Sequence, residues 1–377
     1  MLACFHLSSI SHTICKRFNR FAYTLVVSIP YQTTLLPSLL LYMKKTLIAS
    51  ALFVSALLLL NSCGERKYIP DVSNVKVDLK FHRFDQEWFA IDSTKGVEGL
   101  EKLKAKYPVF GEFFSNYVLV MPQLPDTIPA EKHLKLHLDW QARALYAECL
   151  KVHGDLSPMK KDLTEAFRFY KFYFPKKEIP EIYPYVAYYS YGTPILPGAV
   201  GIGLDFFLGE KHLGYIANEN LKHAYVRRTL TPAQVSREVM FGMADDIVGG
   251  PTGPSMLDAM ICNGKKLYLL DAFLPHAPDS VKLGWTQFQI DFCANGEANL
   301  YKLLIDEELL YSTRNQQFRK FVEVGPFSAA SPTDNPGNSG SWLGWQMVKQ
   351  YMEKTPNATM EGLLRAQPAQ ILQKYRP

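Results

Sequence analysis

An apolar run near the front of the chain decides which residues can belong to the folded protein. Residues 43–63 contain two lysines, an apolar run of 14 residues from Leu47 to Leu60, and the letters NSC ending at Cys63. This order is typical of a secretory signal, and the run is shorter than the about 20 residues that a membrane-spanning helix needs. The final letters LNSC form a lipobox. The sequence therefore predicts that residues 43–62 are a cleaved signal peptide and that Cys63 becomes the lipidated N-terminus.

The same segment sets the expected boundaries of the chain. Residues 1–42 precede a good start at Met43, and we interpret them as a start-site artefact. Residues 63–77 are expected to form a polar tether, and residues 78–377 a single domain, because they contain no internal repeat, low-complexity run or long linker. Lipid chains on Cys63 would place this domain in the cell envelope, on the periplasmic side of the inner or outer membrane. The alternative is that a cysteine follows a short signal-like run by accident.

Removal of the signal also removes the basic character of the chain. The first 62 residues hold five Lys and Arg residues and no acid, so the 41 basic residues of the whole chain fall to 36, equal to the 36 acidic residues. A neutral chain lacks the basic footprint that nucleic-acid-binding proteins usually carry. The sequence therefore predicts that nucleic acid is not a partner.

Cysteine usage argues against a disulfide-rich scaffold. Three of the six cysteines lie at the lipobox or before it. The other three, Cys149, Cys262 and Cys293, allow at most one disulfide. The sequence leaves open whether any two of them pair.

Hydrophobic periodicity predicts an α+β domain that is mainly α-helical. Apolar residues recur at three- and four-residue spacing in three segments, at residues 96–108, 129–154 and 157–175. The same period returns from Thr231 to the end of the chain. Residues 76–92 alternate like a strand that leads into a short helix around Phe89.

The middle of the chain predicts a small sheet. Residues 183–192 and 199–209 are rich in aromatic and β-branched side chains, and the letters TPILPG separate them. We expect two adjacent antiparallel strands here, which gives a mainly helical domain with a small, mostly antiparallel sheet.

The segment TPAQVSREVMFGM, residues 231–243, looks like the start of a metal-binding helix that lacks its metal ligands. Thr231 can cap a helix, and Pro232 suits the first helical position. Gln234 stands where a capping box has Glu or Gln. We therefore expect a helix that begins at this point.

The zinc-protease pattern H-E-x-x-H places two imidazoles one turn apart and a catalytic Glu beside the first. In this helix the three positions hold Arg237, Glu238 and Phe241. Neither a guanidinium nor a phenyl ring has a lone pair to donate to a metal. Glu238 is then either an exposed helix residue or the remaining base of an unusual site.

One histidine pair is a candidate metal site. His133 and His137 are four residues apart, so they share one face of a helix. No Glu follows the first histidine, and a pair binds metal weakly without a third ligand. We interpret the two residues as a solvated or capped pair.

Three aspartates are candidate acids. Asp205 lies among apolar residues, where it is an active-site acid or the cap of a turn. Asp245 and Asp246 are adjacent, and neighbouring helix residues point in different directions, so they make a poor acid/base couple. They also fit a polar helix face before a glycine stop. The sequence contains no G-x-S-x-G, glycine-rich phosphate loop or paired C-x-x-C.

Five longer motifs lie along the mature chain. They occupy residues 81–92, 191–212, 250–280, 292–314 and 325–352, beginning FHRFDQEWF, YGTPILPGAVG, GPTGPSMLDAM, FCANGEANLY and GPFSAASPTDN. Together they resemble the gliding motility lipoprotein GldB family of Bacteroidetes, which the lipobox also fits. The resemblance implies a lipid-anchored envelope protein that supports gliding motility or the linked type IX secretion machinery by binding its proteins.

That family in turn resembles predicted zinc-dependent peptidases, which carry H-E-x-x-H and a later Glu as the third ligand. Carried onto this chain, the ligand positions are Arg237, Phe241 and Asn263, while Glu238 is kept. An Asn carbonyl is a weak zinc ligand. The resemblance therefore implies a degenerate zincin-like fold with no metal, no cofactor and no catalysis, whose cleft can still hold a peptide beside a strand edge.

The resemblance leaves two alternatives open. One is a residual metal-dependent peptidase, with Glu238 as base and a metal held by other ligands such as His212 or His223. The other is a general envelope protein-binding module unrelated to motility.

Two features near the C-terminus bear on the expected cleft. Trp342, Trp345 and Tyr351 either line it or belong to the core. The family usually has a basic residue near PGNSG, where this chain has Asn338. The resemblance therefore implies that this chain lacks a basic side chain for an anionic group at that position.

Overall fold

The structure, a computed structural model, describes residues 69–325 and 336–377. The predicted signal peptide and Cys63 lie outside the described residues. Residues Pro70–Pro377 form one compact unit. Within the described part of the chain, no helix combines the length and the apolar composition needed to cross a bilayer.

Six helices precede the sheet. They are α1 (Phe84–Phe89), α2 (Gly96–Lys106), α3 (Pro108–Phe113), α4 (Ala130–His137), α5 (Trp140–His153) and α6 (Ser157–Tyr173). The predicted helical segment 129–154 is split in two, because the Asp139 carboxylate accepts hydrogen bonds from the backbone N–H groups of Gln141 and Ala142 and starts α5 afresh. The predicted short helix around Phe89 is confirmed as α1.

Eleven described helices follow the sheet. They are α7 (Leu213–Ala217), α8 (Ala224–Arg227), α9 (Val235–Val248), α10 (Met256–Phe273), α11 (Asp279–Leu283), α12 (Gln287–Asn295), α13 (Glu297–Asp306), α14 (Asn315–Val322), α15 (Ser339–Glu353), α16 (Met360–Arg365) and α17 (Pro368–Lys374). The predicted α+β class, mainly helical with a small sheet, is confirmed.

The start of α9 differs from the prediction. Thr231 makes no capping hydrogen bond, and a 3-10 turn, Pro232–Gln234, leads into the helix. Gln234 is buried and its Oε1 has no hydrogen-bond partner among the described residues, so it does not complete a capping box. The helix therefore begins at Val235, four residues later than the expected cap.

The sheet has three strands in the order β1-β3-β2: β1 (Glu181–Tyr185), β2 (Ile195–Leu196) and β3 (Ala199–Gly203). The main pair, β1 with β3, is parallel, so the predicted antiparallel pairing is wrong for it. The reason is that the TPILPG segment forms a strand of its own, β2, and does not simply connect the two predicted strands. The chain turns at Gly198, with φ 71°, so that β2 and β3 form the antiparallel hairpin and β3 runs in the direction of β1.

Asp205 holds the turn that follows β1. Its carboxylate is fully buried and accepts hydrogen bonds from the N–H groups of Ala187 (2.6 Å) and Tyr189 (2.7 Å). Burial raises the pKa of Asp205 to about 6, and these two hydrogen bonds oppose that rise. Of the two interpretations open for this residue, the geometry fits the turn cap.

Helix α10 runs through the centre of the helical half. It packs against α6, α9, α14 and α15, and its sequence is apolar on nearly every side. It starts with a capping box in which Ser255 and Asp258 each hydrogen bond the other's backbone N–H. Because α10 also contacts α11 and α17, side chains along it can meet residues from distant parts of the chain.

Candidate functional site

A cavity of about 430 Å³ lies where α9, α10 and the start of α15 meet the segment around Trp285. Its polar lining residues are Arg228, Thr229, Arg237, Glu238, Asn263, Lys266, Gln289, Asn338 and Ser341, and its apolar ones include Phe241, Leu267, Leu283, Trp285, Val322 and Val324. All four positions of the predicted degenerate metal site therefore line one cavity. This size falls in the usual range of small-molecule pockets, about 300–1,000 Å³.

Arg237 stands at the position that the resemblance to zinc peptidases assigns to the first metal ligand. Its guanidinium lies 4.5 Å from the centre of the Phe241 ring, which shows that the two positions share one face of α9. Its Nη1 donates to Glu238 Oε1 at 2.8 Å, and its Nε donates to the carbonyl oxygen of Lys282 at 2.9 Å. Arg237 thus joins the cavity wall to α11.

Glu238 is partly buried, with 28% of its side chain exposed. This differs from the expectation of an exposed helix residue, because the adjacent Arg237 draws its carboxylate into an ion pair. The pair gives this side of the cavity no net charge.

Asn263, at the position of the third ligand, ties three helices together. Its Nδ2 donates to Ser341 Oγ at 2.8 Å and to the carbonyl oxygen of Val322 at 3.0 Å. Ser341 Oγ also donates to that carbonyl, at 3.1 Å. The Asn263 amide therefore links α10 to α14 and α15 at the cavity wall.

Asn338 is the N-cap residue of α15 and lines the same cavity. Its backbone has φ 70°, a left-handed conformation that Asn tolerates better than most residues. Its Oδ1 is buried and has no hydrogen-bond partner among the described residues. An acceptor in this state costs free energy until a donor reaches it.

Two basic residues of the cavity were not predicted from the sequence. Lys266 Nζ lies 2.5 Å from Asp245 Oδ1, so its charge is balanced. Among the described residues, Arg228 donates to two neutral acceptors, the carbonyl oxygen of Gly284 and Gln289 Oε1, both at 3.3 Å. No local pattern marks Arg228, because it lies in the loop between α8 and α9 and only the fold brings it to the cavity.

The two adjacent aspartates serve separate ion pairs. Asp245 pairs with Lys266, and Asp246 Oδ2 lies 3.6 Å from Lys177 Nζ. This agrees with the interpretation that they do not work as an acid/base couple. Helix α9 ends two residues later, before Gly249 with φ 71°.

The aromatic cluster of α15 belongs mainly to the core. Trp342 and Trp345 are 3% and 0% exposed, and Tyr351 is partly buried against the same core. Trp345 Nε1 donates to Asp271 Oδ2 at 3.0 Å, away from the cavity lining. Of the two interpretations left open for this cluster, the core is the one that the geometry fits.

The four histidines considered as ligands lie elsewhere. His133 Nε2 contacts the carbonyl oxygen of Leu119 at 2.7 Å, and its ring packs edge-on against His137. His212 Nε2 lies 2.8 Å from the Tyr189 hydroxyl, and His223 stacks on Tyr225. His212 and His223 do not line the cavity, so neither is placed to complete a metal site with Glu238.

Residues 69–325 and 336–377 contain no group of three His, Cys, Asp or Glu side chains close enough to hold a metal ion. The three cysteines are separate buried free thiols, which resolves the open question of a disulfide between them. Burial raises the pKa of Cys293 to about 12 and also raises the pKa values of Cys149 and Cys262.

Among known proteins, this chain matches one family model. No curated protein and no solved structure matches this chain. The sequence model of the family described as "Gliding motility protein GldB" matches residues 65–377, which include the whole of the cavity. This match spans well over half of the chain, so the protein belongs to the GldB family of gliding motility proteins.

Proposed function

We propose that this gliding-motility-related lipoprotein is not a catalyst and acts by binding proteins of the gliding or type IX secretion machinery through the cavity beside α9. Its family links it to gliding motility and to the cell envelope. The binding role is supported by the cavity of about 430 Å³. The absence of catalysis is supported by the state of the three proposed ligand positions. Arg237 and Asn263 are engaged in hydrogen bonds with protein groups, and Phe241 has no donor atom.

The degenerate peptidase interpretation is part of the same proposal. Two positions one turn apart on α9 and one position on α10 line a single cavity, with Glu238 between them. This arrangement is what a helical H-E-x-x-H site with a third ligand from another helix needs. The cavity is then a substrate cleft whose chemistry has been replaced and whose shape has been kept.

Anchoring is proposed to follow from the lipobox. Cleavage after residue 62 and lipidation of Cys63 would leave a short tether before the folded unit at Pro70. Two or more acyl chains give stable anchoring that one chain does not. A Cys63→Ser variant is expected to leave the membrane fraction, as followed by membrane sedimentation and immunoblotting.

The first test of the non-catalytic role is metal content. The lipidated protein is purified in detergent without a His tag, exchanged against a weak chelator and measured by mass spectrometry. Zinc far below one equivalent supports the proposal. One equivalent of zinc per chain would contradict it and favour a residual peptidase with ligands that the described residues do not reveal.

The second test is genetic and concerns the motility role. Deletion of the gene is expected to abolish colony spreading and to reduce secretion by the type IX machinery, and expression of the wild-type chain to restore both. A Glu238→Gln variant should restore spreading as well, because the proposal gives Glu238 no catalytic step. Normal spreading and secretion by the deletion strain would instead indicate an envelope module unrelated to motility.

A further inference from the structure

The outward face of α5 is apolar although it is exposed to solvent. At about 100° per residue, Ala144 and Ala147 lie within about 40° of the direction of Trp140 on this helix. All three are exposed, and Trp140 is 74% exposed. We call these three residues the Trp140 face. Leu136, four residues earlier on α4, is 63% exposed. A surface helix normally carries polar residues on its outer side, so this face indicates contact with another apolar surface.

Basic side chains flank the Trp140 face. Arg143 and Lys151 are exposed on α5, and Lys132 and Lys135 are exposed on α4. Among the described residues, Arg143 donates to backbone carbonyl oxygens, which carry no charge to balance its own. The face therefore has positive charge at its rim.

The acidic residues of the same two helices are engaged with other groups. The Asp139 carboxylate accepts from the backbone N–H groups at the start of α5. Glu131 accepts from the N–H of Val97, and Glu148 Oε2 lies 3.5 Å from His212 Nδ1. None of these acids belongs to the Trp140 face.

Other exposed apolar side chains have acidic neighbours instead. Ile305 and Tyr311 are 48% and 69% exposed, and residues 306–308 between them are all acidic. Phe288 is 61% exposed on α12, with Asp291 three residues later. Carboxylates beside an apolar patch oppose contact with the phosphates of a lipid surface, whereas basic side chains favour it. Charge therefore distinguishes the Trp140 face from these other patches.

The length of the proposed tether brings a bilayer close to the folded unit. Six residues lead from Cys63 to Ile69, the first described residue, and they span at most about 20 Å when fully extended. A unit of about 300 residues has a radius of gyration of about 20 Å, so it is wider than the tether is long. Part of its surface must then lie beside the lipid that holds the anchor.

The composition of the Trp140 face fits that lipid surface. Tryptophan rings prefer the headgroup level of a bilayer, and lysine and arginine stems lie along apolar surface while their charged ends reach the phosphates. We propose that Leu136 and the Trp140 face dock on the bilayer that holds the anchor, with Trp140 in the interfacial layer. This inference rests on the proposed anchoring at Cys63 and adds a second contact, which holds the folded unit in one orientation.

Tryptophan fluorescence tests the docking directly. The lipidated protein is added to preformed vesicles of phosphatidylcholine and phosphatidylglycerol, with or without bromine on the acyl chains, which quenches tryptophans in contact with lipid. Trp140 is the exposed one of the five tryptophans, and each of the other four is at most 8% exposed. Brominated vesicles should therefore lower the emission by on the order of one fifth in the wild type. They should not lower it in Trp140→Phe.

A moved reporter is the matched control. The double variant Trp140→Phe, Phe288→Trp carries its exposed tryptophan on α12 instead of α5. Because Phe288 lies outside the Trp140 face, brominated lipids should leave the emission of this variant unchanged.

Charge variants test the basic rim. Lys135→Glu combined with Lys151→Glu is expected to reduce the quenching of Trp140 by about half or more, because the new carboxylates are repelled by anionic lipid. Lys302→Glu combined with Arg319→Glu changes the net charge by the same amount at exposed positions on α13 and α14, and it should leave the quenching unchanged. Circular dichroism checks that each variant is folded.

Vesicle flotation separates the docking from the anchoring. Lipidated protein that does not float with the vesicles would overturn the anchoring and this inference with it. Protein that floats while Trp140 is not quenched would overturn the docking and leave the anchor in place. Equal quenching of Trp140 and of the moved reporter would also overturn the docking, because the folded unit would then have no preferred orientation.

Discussion

Gly264 of α10 and Gly344 of α15 meet where the two helices cross, and a Cβ built on Gly264 would lie 2.4 Å from the carbonyl carbon of Gly344. A Cβ on Gly344 would come 2.0 Å from the carbonyl oxygen of Met260. The backbones are therefore closer than any other residue would permit. This close crossing also brings Asn263 to Ser341, so it shapes the wall of the cavity.

Replacement of Gly264 by Ala should test this crossing. The added methyl has backbone rather than a flexible side chain in its way, so the helices must move apart, at a cost of about 1–3 kcal/mol in the free energy of unfolding. Urea unfolding followed by circular dichroism measures the change. Gly250→Ala is the matched control, because nothing lies within 4 Å of its Cβ. Equal stability of the two variants would show that the helices do not pack this closely.

Asp271 and Lys282 form a buried ion pair, and Lys282 also contacts Arg237, which lines the cavity. Both are less than 5% exposed and are hydrogen bonded, and the Lys282 carbonyl accepts from Arg237. Asp271→Asn leaves the buried lysine with a weaker partner, and we expect a loss of about 3–5 kcal/mol in unfolding free energy. Asp279→Asn, which removes a more exposed partner of the same lysine, should cost about 1 kcal/mol or less. Chemical unfolding of both variants compares them, and the reverse order would contradict the assignment.

His137 should make stability depend on pH. Burial first, and the neighbouring His133 second, lower the pKa of His137 from 6.5 to about 4. The unfolded chain therefore takes up a proton at a higher pH than the folded chain. The stability contributed by neutral His137 is complete above about pH 6.5 and is lost as the pH falls toward 4.

The measurement compares unfolding free energies at pH 4.5 and 7. In His137→Phe, which keeps an aromatic ring against Tyr188, the loss on acidification should be smaller by on the order of 2 kcal/mol. Asp205, whose raised pKa lies in the same range, contributes a change of opposite sign in both proteins. Subtracting the change in unfolding free energy of the variant from that of the wild type cancels this contribution. The exposed His276→Phe serves as control. An unchanged pH dependence in His137→Phe would show that His137 is not titrating as described.

The proposed degenerate peptidase site can be tested by introducing metal ligands. The triple variant Arg237→His, Phe241→His and Asn263→Glu places the full zinc-peptidase ligand set around Glu238 and is expected to bind one zinc per chain, because the three positions line one cavity. Native mass spectrometry after zinc addition measures the stoichiometry. The control carries Asn263→Gln in place of Glu, which has nearly the same shape and no charge. Weak zinc binding by both, in folded protein, would argue against a zincin-like ancestry of the cavity.

The three cysteines of the folded unit should be chemically inert in the native state. Each is buried, and burial raises its pKa, so little reactive thiolate is present at neutral pH. We expect no labelling by iodoacetamide in native protein and labelling of all three in urea, as counted by peptide mass spectrometry. Rapid native labelling of Cys262, which lies beside Lys266, would show that the cavity wall opens.

The local part of this structure was predictable because helix periodicity and motif spacing depend on neighbouring residues. The mainly helical class, the helix at Phe89 and the shared face of Arg237 and Phe241 all follow from a repeat of 3.6 residues. The direction of a strand depends instead on where the chain goes between strands. The TPILPG segment is short, which suggested that it only connects β1 and β3 as a hairpin. In the structure it contains β2, which pairs with β3 in the hairpin, and β1 runs parallel to β3.

The sequence by itself determined which residue types stand at the proposed ligand positions and which family the motifs indicate, since both are properties of linear order. Only the tertiary structure decided that Glu238 is paired rather than free, that Arg228 and Asn338 reach the same cavity, and that Trp345 does not. The physical reason is that charge balance and burial depend on distances between residues far apart in the chain. Those distances are set by the packing of α10 and α15 through two glycines, which no local pattern expresses.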